Sequence, residues 1–357
     1  MGIVMNYISA RARALKPYVP GEQPQDRRYI KINTNENPYP MSPKAREAAA
    51  AALENAALYP DPDATVLRKA VAQVEGVRPE QVFCGNGSDE VLAFCFAAFF
   101  DPDRPVLFPD ITYSFYPVYA DFFGISYERV ALDEGFGIDP ARYDRANGGV
   151  IFPNPNAPTG RALSADEIRA LAQMQRGRGV LIVDEAYVAF GAQSVMPLIE
   201  EFDNLVVVRT FSKSHSMAGM RVGYAVAQES LIAGLNAVKN SFNSYVVDRA
   251  AAAGGAAALL DTEYNASVVE KIICTRERTV KELKKLGFTM PESKATFVFI
   301  THERMRAEEL YRKLREKGIL TRYFAQARID NYLRVSIGTD DEMDAFLKAV
   351  REILAEK

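Results

Sequence analysis

Four short runs of consecutive apolar residues stand out along the middle of the chain. They are RPVLF, GGVIF, GVLIV and NLVVV, at residues 104–108, 148–152, 179–183 and 204–208. Runs of this length without polar alternation are typical of strands that are buried on both faces. Segments of helical period lie between them, and one opens with a capping box, Ser164 and Glu167 in SADE. The alternation predicts an α/β fold in which helices sandwich a mainly parallel sheet.

Further elements are predicted on both sides of these runs. A helix is expected from about Ser42 to Tyr59, and DEVLAFCFAAFF (89–100) is expected to form a helix buried on most sides. The C-terminal third predicts a long helical tract over about 259–286, strands at 296–300, 319–323 and 332–337, an amphipathic helix over about 305–317 ended by Gly318, and a last helix from Asp340.

The length of 357 residues is suited to two domains of typical size. We expect a large cofactor-binding domain over residues 30–250 and a smaller α+β domain over residues 251–357. Residues 1–29 are expected to form an arm that packs with the small domain and the active site.

Composition and charge exclude several classes of function. Lys and Arg total 43 against 46 Asp and Glu, so the net charge of −3 gives no reason to expect nucleic acid or an acidic membrane as partner. The three cysteines lack metal-ligand spacing and only two histidines are present, so neither a disulfide framework nor a metal centre is expected. The N-terminus has no apolar segment followed by a cleavage site, and the apolar runs are too short to span a bilayer. A cytoplasmic protein is therefore expected.

Polar clusters follow the predicted strands and precede the helix at 89. Their members are Asp184–Tyr187 after GVLIV, Arg209–Lys213 after NLVVV, Pro153–Gly160 after GGVIF, and Gly85–Asp89. Ligands of open parallel sheets bind at the C-terminal ends of the strands. The four clusters are therefore expected to meet at one edge of the sheet.

The chemistry of these clusters points to one cofactor. A glycine-rich turn that opens a helix, Gly87-Ser88-Asp89, is suited to bind phosphate, and Ser212 and Arg221 could complete the cradle. A buried Asp184 needs a cationic partner, and Lys213 beyond a buried strand could be an activated amine. A phosphate cradle, a buried acid and an activated lysine are together what pyridoxal phosphate requires.

Eight motifs in order along some 300 residues resemble the fold-type I pyridoxal-phosphate aminotransferases. They are TNENPYP (34–40), YPDPDATVLRKAVA (59–72), GNGSDE (85–90), DITYSFYP (110–117), NPNAPTG (154–160), DEAYVAF (184–190), RTFSKSHSMAGMRVGYA (209–225) and YLRVSIGT (332–339). Within this family the motifs are most similar to those of the members that act on histidinol phosphate.

The resemblance implies a role for each cofactor residue. Lys213 would hold the cofactor's aldehyde and move the proton, and Asp184 would pair with the ring nitrogen. The other implied cofactor contacts are Tyr187 and Asn156 on the ring oxygen, Tyr113 on the ring face, and Gly87, Ser88, Asp89, Ser212 and Arg221 around the phosphate. Relatives often have a second Asn where this chain has Ala157, so the ring-oxygen contact would rest on Asn156. His215 is assigned no role.

The resemblance also implies substrate contacts and a shared site. Tyr59 would reach the phosphate of a partner subunit in a homodimer, and Arg334, with Arg322 as a second clamp, would hold the substrate's acidic group. Tyr18 and Asn35 would lie on segments that close over the substrate. The implied reaction interconverts L-histidinol phosphate and 2-oxoglutarate with imidazole-acetol phosphate and L-glutamate, in histidine biosynthesis.

Three alternatives remain at this point. The chain could be an aromatic amino-acid aminotransferase or a phosphothreonine decarboxylase-like enzyme of the same fold, since the cofactor residues would be nearly the same. It could also be a non-catalytic ligand-sensing module, although the presence of Lys213, Asp184 and Arg221 argues against this. A nicotinamide-dependent dehydrogenase is disfavoured because GNGSDE lacks the third glycine of the dinucleotide fingerprint.

Overall fold

The computed structural model describes residues 7–356, so the first six residues of the predicted arm lie outside the described residues. The α-helices are α1 Ala10–Ala14, α2 Pro43–Ala52, α3 Thr65–Glu75, α4 Gly87–Phe99, α5 Tyr116–Phe123, α6 Ala165–Gln175, α7 Glu229–Phe242, α8 Arg249–Leu260, α9 Thr262–Lys285, α10 Ala307–Glu316 and α11 Asp340–Ala355. The strands are β1 Ile30–Lys31, β2 Val82–Asn86, β3 Val106–Pro109, β4 Tyr127–Val130, β5 Gly149–Pro153, β6 Val180–Asp184, β7 Leu205–Thr210, β8 Val222–Ala227, β9 Phe288–Thr289, β10 Phe297–His302, β11 Ile319–Leu320, β12 Arg322–Tyr323 and β13 Leu333–Ser336. None of the described helices is both long enough and apolar enough to cross a bilayer.

A seven-stranded sheet forms the centre of the molecule, in the order β2-β8-β7-β6-β5-β3-β4. The four apolar runs form β3, β5, β6 and β7, which are parallel to one another, so the predicted mainly parallel sheet is confirmed. β8 is antiparallel to both of its neighbours, β2 and β7. The side chains of β6 and β7 are almost entirely buried, because helices cover both faces of the sheet.

The C-terminal part of the chain forms a second layered unit. Its four-stranded sheet has the order β12-β13-β10-β9 and is antiparallel throughout, and β1 adds a separate parallel pair with β11. A second hydrophobic core lies among β10, β13 and helices α9 to α11. The predicted strand 319–323 is in fact two strands in different sheets, because the chain leaves β11 at Thr321 and pairs again through β12.

The expected domain boundary at residue 250 falls inside α8. The buried residues of α8 belong to the core of the large unit, and α8 packs mainly against α2 and α3. Ile32, by contrast, belongs to the core of the smaller unit. We therefore propose that the boundary lies at Asp261 and that residues 30–32 belong to the smaller unit.

Two helix predictions were wrong at their ends. α2 stops at Ala52 instead of Tyr59, because the chain tightens into a 3-10 turn at Leu53–Asn55, where the Ala56 N–H donates to the Leu53 carbonyl oxygen. Further along, the carbonyl oxygens of Leu58 and Tyr59 accept hydrogen bonds from the Arg249 guanidinium. The predicted tract over 259–286 is broken at Asp261. The carboxylate of Asp261 accepts hydrogen bonds from Ser42 Oγ at 2.6 Å and Lys44 Nζ at 2.7 Å, which ties the junction of α8 and α9 to the start of α2.

A buried ion-pair network lies beside the ends of β6 and β7. Arg209 contacts Glu185 at 2.9 Å and Glu75 at 2.7 Å, and the Glu185 side chain is completely buried. Glu185 also accepts hydrogen bonds from Ser194 Oγ and from the Val195 main-chain N–H. The network fixes the chain on both sides of the two strand ends.

Replacing Glu185 with Gln should therefore destabilise the fold by about 3 kcal/mol, because it leaves a buried guanidinium with one carboxylate fewer. The matched control is Glu201→Gln, which breaks a solvent-exposed pair with Arg169 and should cost much less, because water screens that pair. Urea denaturation followed by circular dichroism measures both changes. Equal losses in the two variants would contradict the structural role assigned to Glu185.

Candidate active site

A cavity of about 280 Å³ lies at the C-terminal edge of the central sheet. Eight of the residues predicted for the site line it, namely Ser88, Asp89, Tyr113, Asp184, Tyr187, Ser212, Lys213 and Arg221. They come from the start of α4, the loop before α5, the end of β6 and the loop after β7. The predicted meeting of the polar clusters at one edge of the sheet is confirmed.

Asp184 is the last residue of β6 and is 4% exposed. Its carboxylate accepts a hydrogen bond from the Ala186 N–H at 3.0 Å and a long one from the Tyr116 hydroxyl at 3.4 Å. Burial raises the pKa of Asp184 to about 7, and the nearby Asp89 acts in the same direction. The carboxylate thus lacks an ion-pair partner within residues 7–356, and a cationic or N–H-bearing ligand would stabilise it.

Lys213 lies in the same cavity, on the turn that follows β7. Its Nζ is 5.8 Å from the centre of the Tyr187 ring, and its charge lowers the pKa of Asp184. Its main chain is fixed by Asn37, whose side-chain amide donates a hydrogen bond to the Lys213 carbonyl oxygen at 2.8 Å. The amine and the buried acid therefore face one enclosed space.

The opposite end of the cavity is suited to an anion. α4 begins at Gly87, directly after β2, so its first main-chain N–H groups point towards the cavity. A Cβ atom at Gly87, where φ is +79°, would lie 2.7 Å from the Arg221 guanidinium, and one at Gly223 would lie 2.4 Å from the Ser88 nitrogen. These two glycines allow the helix start, β8 and Arg221 to approach one another closely.

Hydrogen bonds hold the polar groups at this end in place. Arg221 donates to Asp89 Oδ2 at 3.0 Å, and the Tyr113 hydroxyl donates to Asp89 Oδ1 at 2.7 Å. Thr210 Oγ1 donates to Ser212 Oγ at 3.0 Å, which leaves the Ser212 proton free for a ligand. Burial and the neighbouring Asp89 raise the pKa of Tyr113 well above its usual value.

Two predicted residues lie behind the cavity wall. Asn35 is 2% exposed and donates from Nδ2 to the Tyr187 hydroxyl at 2.9 Å, so it positions Tyr187 and does not line the cavity. Asn156 is also buried, and its amide donates to the Ile111 carbonyl oxygen at 2.9 Å and to Thr159 Oγ1 at 3.2 Å. Both amide hydrogens of Asn156 are thus engaged, and Ala157 faces the cavity in its place.

The predicted substrate residues form a group on the small-unit side. Arg334 and Arg322 lie directly opposite each other on β13 and β12. Arg334 donates to the Asn33 carbonyl oxygen at 2.9 Å, and its Nε is buried without a hydrogen-bond partner among residues 7–356. Burial lowers the pKa of Arg334, and Arg322 acts in the same direction. Neither guanidinium forms an ion pair with a described carboxylate, so an anion would be stabilised there.

The remaining two predicted residues, Tyr18 and Tyr59, are not part of the cavity wall. Tyr18 stacks on Phe115 at 4.5 Å, beside the Tyr113 loop, and Arg322 donates to the carbonyl oxygen of the adjacent Val19 at 3.2 Å. Tyr59 is 78% exposed and stacks on Tyr245 at 4.8 Å. Tyr59 therefore does not line the cavity of its own chain.

The sequence analysis missed four residues at the site. Thr34 and Glu36 line the cavity, Asn37 holds the Lys213 main chain, and Tyr116 contacts Asp184. The first three lie in the motif TNENPYP, so the motif itself was a signal for them. Tyr116 comes three residues after Tyr113, a spacing that places both on one face of a helical turn.

His215 lines a different cavity, and burial lowers its pKa to about 4, so the ring is neutral. No cluster of potential metal ligands is found among the described residues.

The fold and the site together define a class of enzyme. Residues 27–350 match the family model for aminotransferase class I and II, and the chain belongs to this family. The family predicted from the eight motifs is thereby confirmed, as is the fold class.

Within the family, the chain is similar to several histidinol-phosphate aminotransferases. The chain is 51% identical over 352 residues to a histidinol-phosphate aminotransferase of Acinetobacter baumannii, covering 98% of this chain and 97% of the relative. It is 48% identical over 350 residues to a histidinol-phosphate aminotransferase of Clostridium beijerinckii, covering 98% of each. A solved structure of histidinol-phosphate aminotransferase from Sinorhizobium meliloti, in complex with pyridoxal-5'-phosphate, is 25% identical, with a TM-score of 0.82 over 92% of each chain.

The buried state of Asp184 predicts a specific dependence of stability on pH. Because its pKa is about 7 in the folded protein against 3.8 normally, the folded state binds the proton more tightly than the unfolded state between these values. Stability is therefore lost as the pH rises from about 4 to about 7, by up to roughly 4 kcal/mol.

The ligand-free Asp184→Asn variant should escape this loss. It should be more stable than the ligand-free wild type at pH 8, and the difference should vanish near pH 4. Denaturant titration at both pH values measures the difference, with Asp203→Asn, at an exposed carboxylate, as control. A variant that is no more stable than the wild type at pH 8 would contradict the burial of an unpaired charge.

Proposed function

We propose that this chain is a pyridoxal-phosphate-dependent aminotransferase that interconverts L-histidinol phosphate and 2-oxoglutarate with imidazole-acetol phosphate and L-glutamate. The observation that carries the proposal is the presence of Lys213 and Asp184 in one cavity whose other end offers Arg221 and a helix N-terminus. The choice of substrate is supported by the two histidinol-phosphate aminotransferases that share about half of its residues over nearly its whole length.

The cavity fits pyridoxal phosphate at both ends. The carboxylate of Asp184 would accept a hydrogen bond from the protonated ring nitrogen and so gain the cationic partner that it lacks. The phosphate would be held by Arg221, by the Ser212 hydroxyl and by the main-chain N–H groups of Gly87, Ser88 and Asp89, since the Asp89 carboxylate itself repels an anion. When bound, the cofactor supplies a protonated ring that accepts electrons from the substrate carbon.

The aromatic residues complete the cofactor site in this proposal. Tyr113 lies in the cavity wall and would stack on the ring face. The Tyr187 hydroxyl accepts a hydrogen bond from Asn35, which leaves its own proton free for the ring oxygen. Asn156 would join Tyr187 there only if one of its two amide hydrogen bonds were exchanged for the ligand.

Lys213 performs the proton transfer in the proposed reaction. Its amine would hold the cofactor's aldehyde and, once freed, would act as the base that moves the proton of the substrate carbon. The Asn37 hydrogen bond fixes the main chain of Lys213, so the amine would act from an anchored turn.

Arg334 and Arg322 would bind the anionic end of each substrate. One half-reaction presents a phosphate and the other a carboxylate, and two guanidinium groups placed opposite each other can serve both. Tyr18, near Arg322, would close the pocket from the N-terminal arm.

The proposed active enzyme is a cytoplasmic homodimer. Tyr59 stacks on the exposed Tyr245, and further large apolar side chains are exposed on the same two stretches of chain, namely Leu53, Leu58 and Phe242. Tyr59 is 78% exposed while its main chain is held by Arg249, so it is presented outward on a fixed segment. An exposed apolar surface of this kind is suited to a second copy of the chain, whose phosphate site Tyr59 would then reach.

A substrate comparison tests the proposed specificity. The wild type should transaminate histidinol phosphate with 2-oxoglutarate and should act weakly on histidinol, which lacks the phosphate. Arg334→Gln should lower kcat/KM for histidinol phosphate about 100-fold while changing that for histidinol much less, because it removes one partner of a buried charge pair. Arg312→Gln, at an exposed position, is the control. A preference of the wild type for phenylalanine, or decarboxylation of O-phosphothreonine, would replace the proposed substrate.

Mixing two inactive variants tests the shared site. Tyr59→Ala and Lys213→Ala should each be inactive or nearly so, yet reassembled mixtures should recover about a quarter of the wild-type activity, since half of the random dimers are hybrids with one intact site. A mixture of Asp184→Asn and Lys213→Ala is the control, because both residues line the cavity of one chain and no hybrid has a complete site. No recovery in the first mixture would place Tyr59 outside the partner's site.

A further inference from the structure

Tyr116 is a buried residue next to Asp184 that the proposed reaction does not use. It begins α5, is fully buried, and lies outside the cavity wall. Its hydroxyl is 3.4 Å from Oδ2 of Asp184, which is its one hydrogen-bond partner among residues 7–356. The carboxylate of Asp184 in turn has a single other donor among the described residues, the Ala186 N–H.

Three aromatic rings fix the position of the Tyr116 ring. The ring centres of Phe96, Phe108 and Tyr113 lie 6.3, 5.8 and 5.7 Å from that of Tyr116. Tyr113 contacts it edge to face, so the ring that faces the cavity and the ring beneath it support each other. The hydroxyl therefore cannot swing away from the carboxylate without disturbing the core.

The hydroxyl acts as the donor in this contact. Burial, followed by the charge of Asp184, raises the pKa of Tyr116 well above 10, so the phenol keeps its proton at every pH of interest. A donor of this kind stabilises the ionised form of a carboxylate against the protonated form.

We propose that Tyr116 is a positioning residue that keeps the negative charge on Asp184 and thereby strengthens the binding of the cofactor's ring nitrogen. The proposal rests on the pyridoxal-phosphate site described above. Without the hydroxyl, the carboxylate would hold its own proton more firmly, and the ring nitrogen would lose its charged partner.

Other titratable groups also face Asp184. Asp89 and Cys95 lie on α4, Tyr119 lies one turn beyond Tyr116 on α5, and Lys213 lies across the cavity. Asp89 raises the pKa of Asp184 and Lys213 lowers it. None of these four described groups donates a hydrogen bond to the carboxylate, whereas the Tyr116 side chain does.

The chain offers a matched control for this proposal. Tyr119 is also a buried tyrosine of α5, and its hydroxyl has no hydrogen-bond partner among the described residues. Tyr116→Phe and Tyr119→Phe each delete one buried oxygen atom from the same helix. They differ in whether that oxygen donates to Asp184.

The measurement is the Kd of the apoprotein for pyridoxal phosphate, from titration followed by absorbance. Tyr116→Phe should weaken binding about tenfold, the loss of one hydrogen bond to a charged group. Tyr119→Phe should stay within about twofold of the wild type, because no hydrogen bond is lost. A Tyr116→Phe Kd equal to that of the wild type overturns the proposal, and so does a Tyr116→Phe chain that fails to fold while Tyr119→Phe folds.

A double-mutant cycle separates action through Asp184 from general packing. In the Asp184→Asn background, Tyr116→Phe should change the Kd by less than about twofold, because the charge that it supports is gone. A tenfold loss in both backgrounds would show a packing effect and overturn the proposal. If neither the wild type nor Tyr119→Phe binds pyridoxal phosphate, the proposed function fails instead, so the two failures are distinct.

Discussion

The structure depends most on a carboxylate that is buried without a cation of its own. Asp184 occupies the last position of β6, a strand whose preceding side chains are nearly all buried, so the fold of the sheet carries the acid into the interior. Two donors, one of them distant, do not compensate for this burial. The folded chain therefore has a buried negative charge at Asp184 without full compensation. A ligand or the amine of Lys213 would compensate it.

The rest of the cavity is arranged around the Asp184 carboxylate. Because β5, β6 and β7 are parallel, the residues that follow each strand emerge at the same edge, and Lys213 is brought opposite Asp184 by chain direction alone. Arg221 directly precedes β8, and the antiparallel pairing of Val222 with Asn86 sets it beside the start of α4, where β2 ends. One sheet edge thus has an acidic end and a basic end, which selects a flat ligand with a proton at one end and an anion at the other.

Most of this arrangement could be predicted from the sequence, because a strand that is buried on both faces consists of consecutive apolar residues. The four apolar runs and the polar residues after them located β3, β5, β6, β7 and most of the cavity. Contacts that depend on tertiary packing have no comparable local pattern in the sequence. The hydrogen bond from Tyr116 to Asp184 joins residues 68 positions apart, and that from Asn37 to Lys213 joins residues 176 apart. The break at Asp261 likewise depends on Ser42 and Lys44, which lie far away in the sequence.

The two halves of the candidate site belong to different cores, and in the proposed function this division separates the cofactor residues from the substrate residues. Lys213, Asp184 and Arg221 are carried by the large unit, while Arg334 and Arg322 are carried by strands of the smaller unit. Tyr187 bridges the two, since it faces the cavity and its ring packs edge to face on Phe297 of the smaller core. In the proposed function, a change in the arginine pair would therefore alter which anion is accepted while leaving the buried acid and the amine in place.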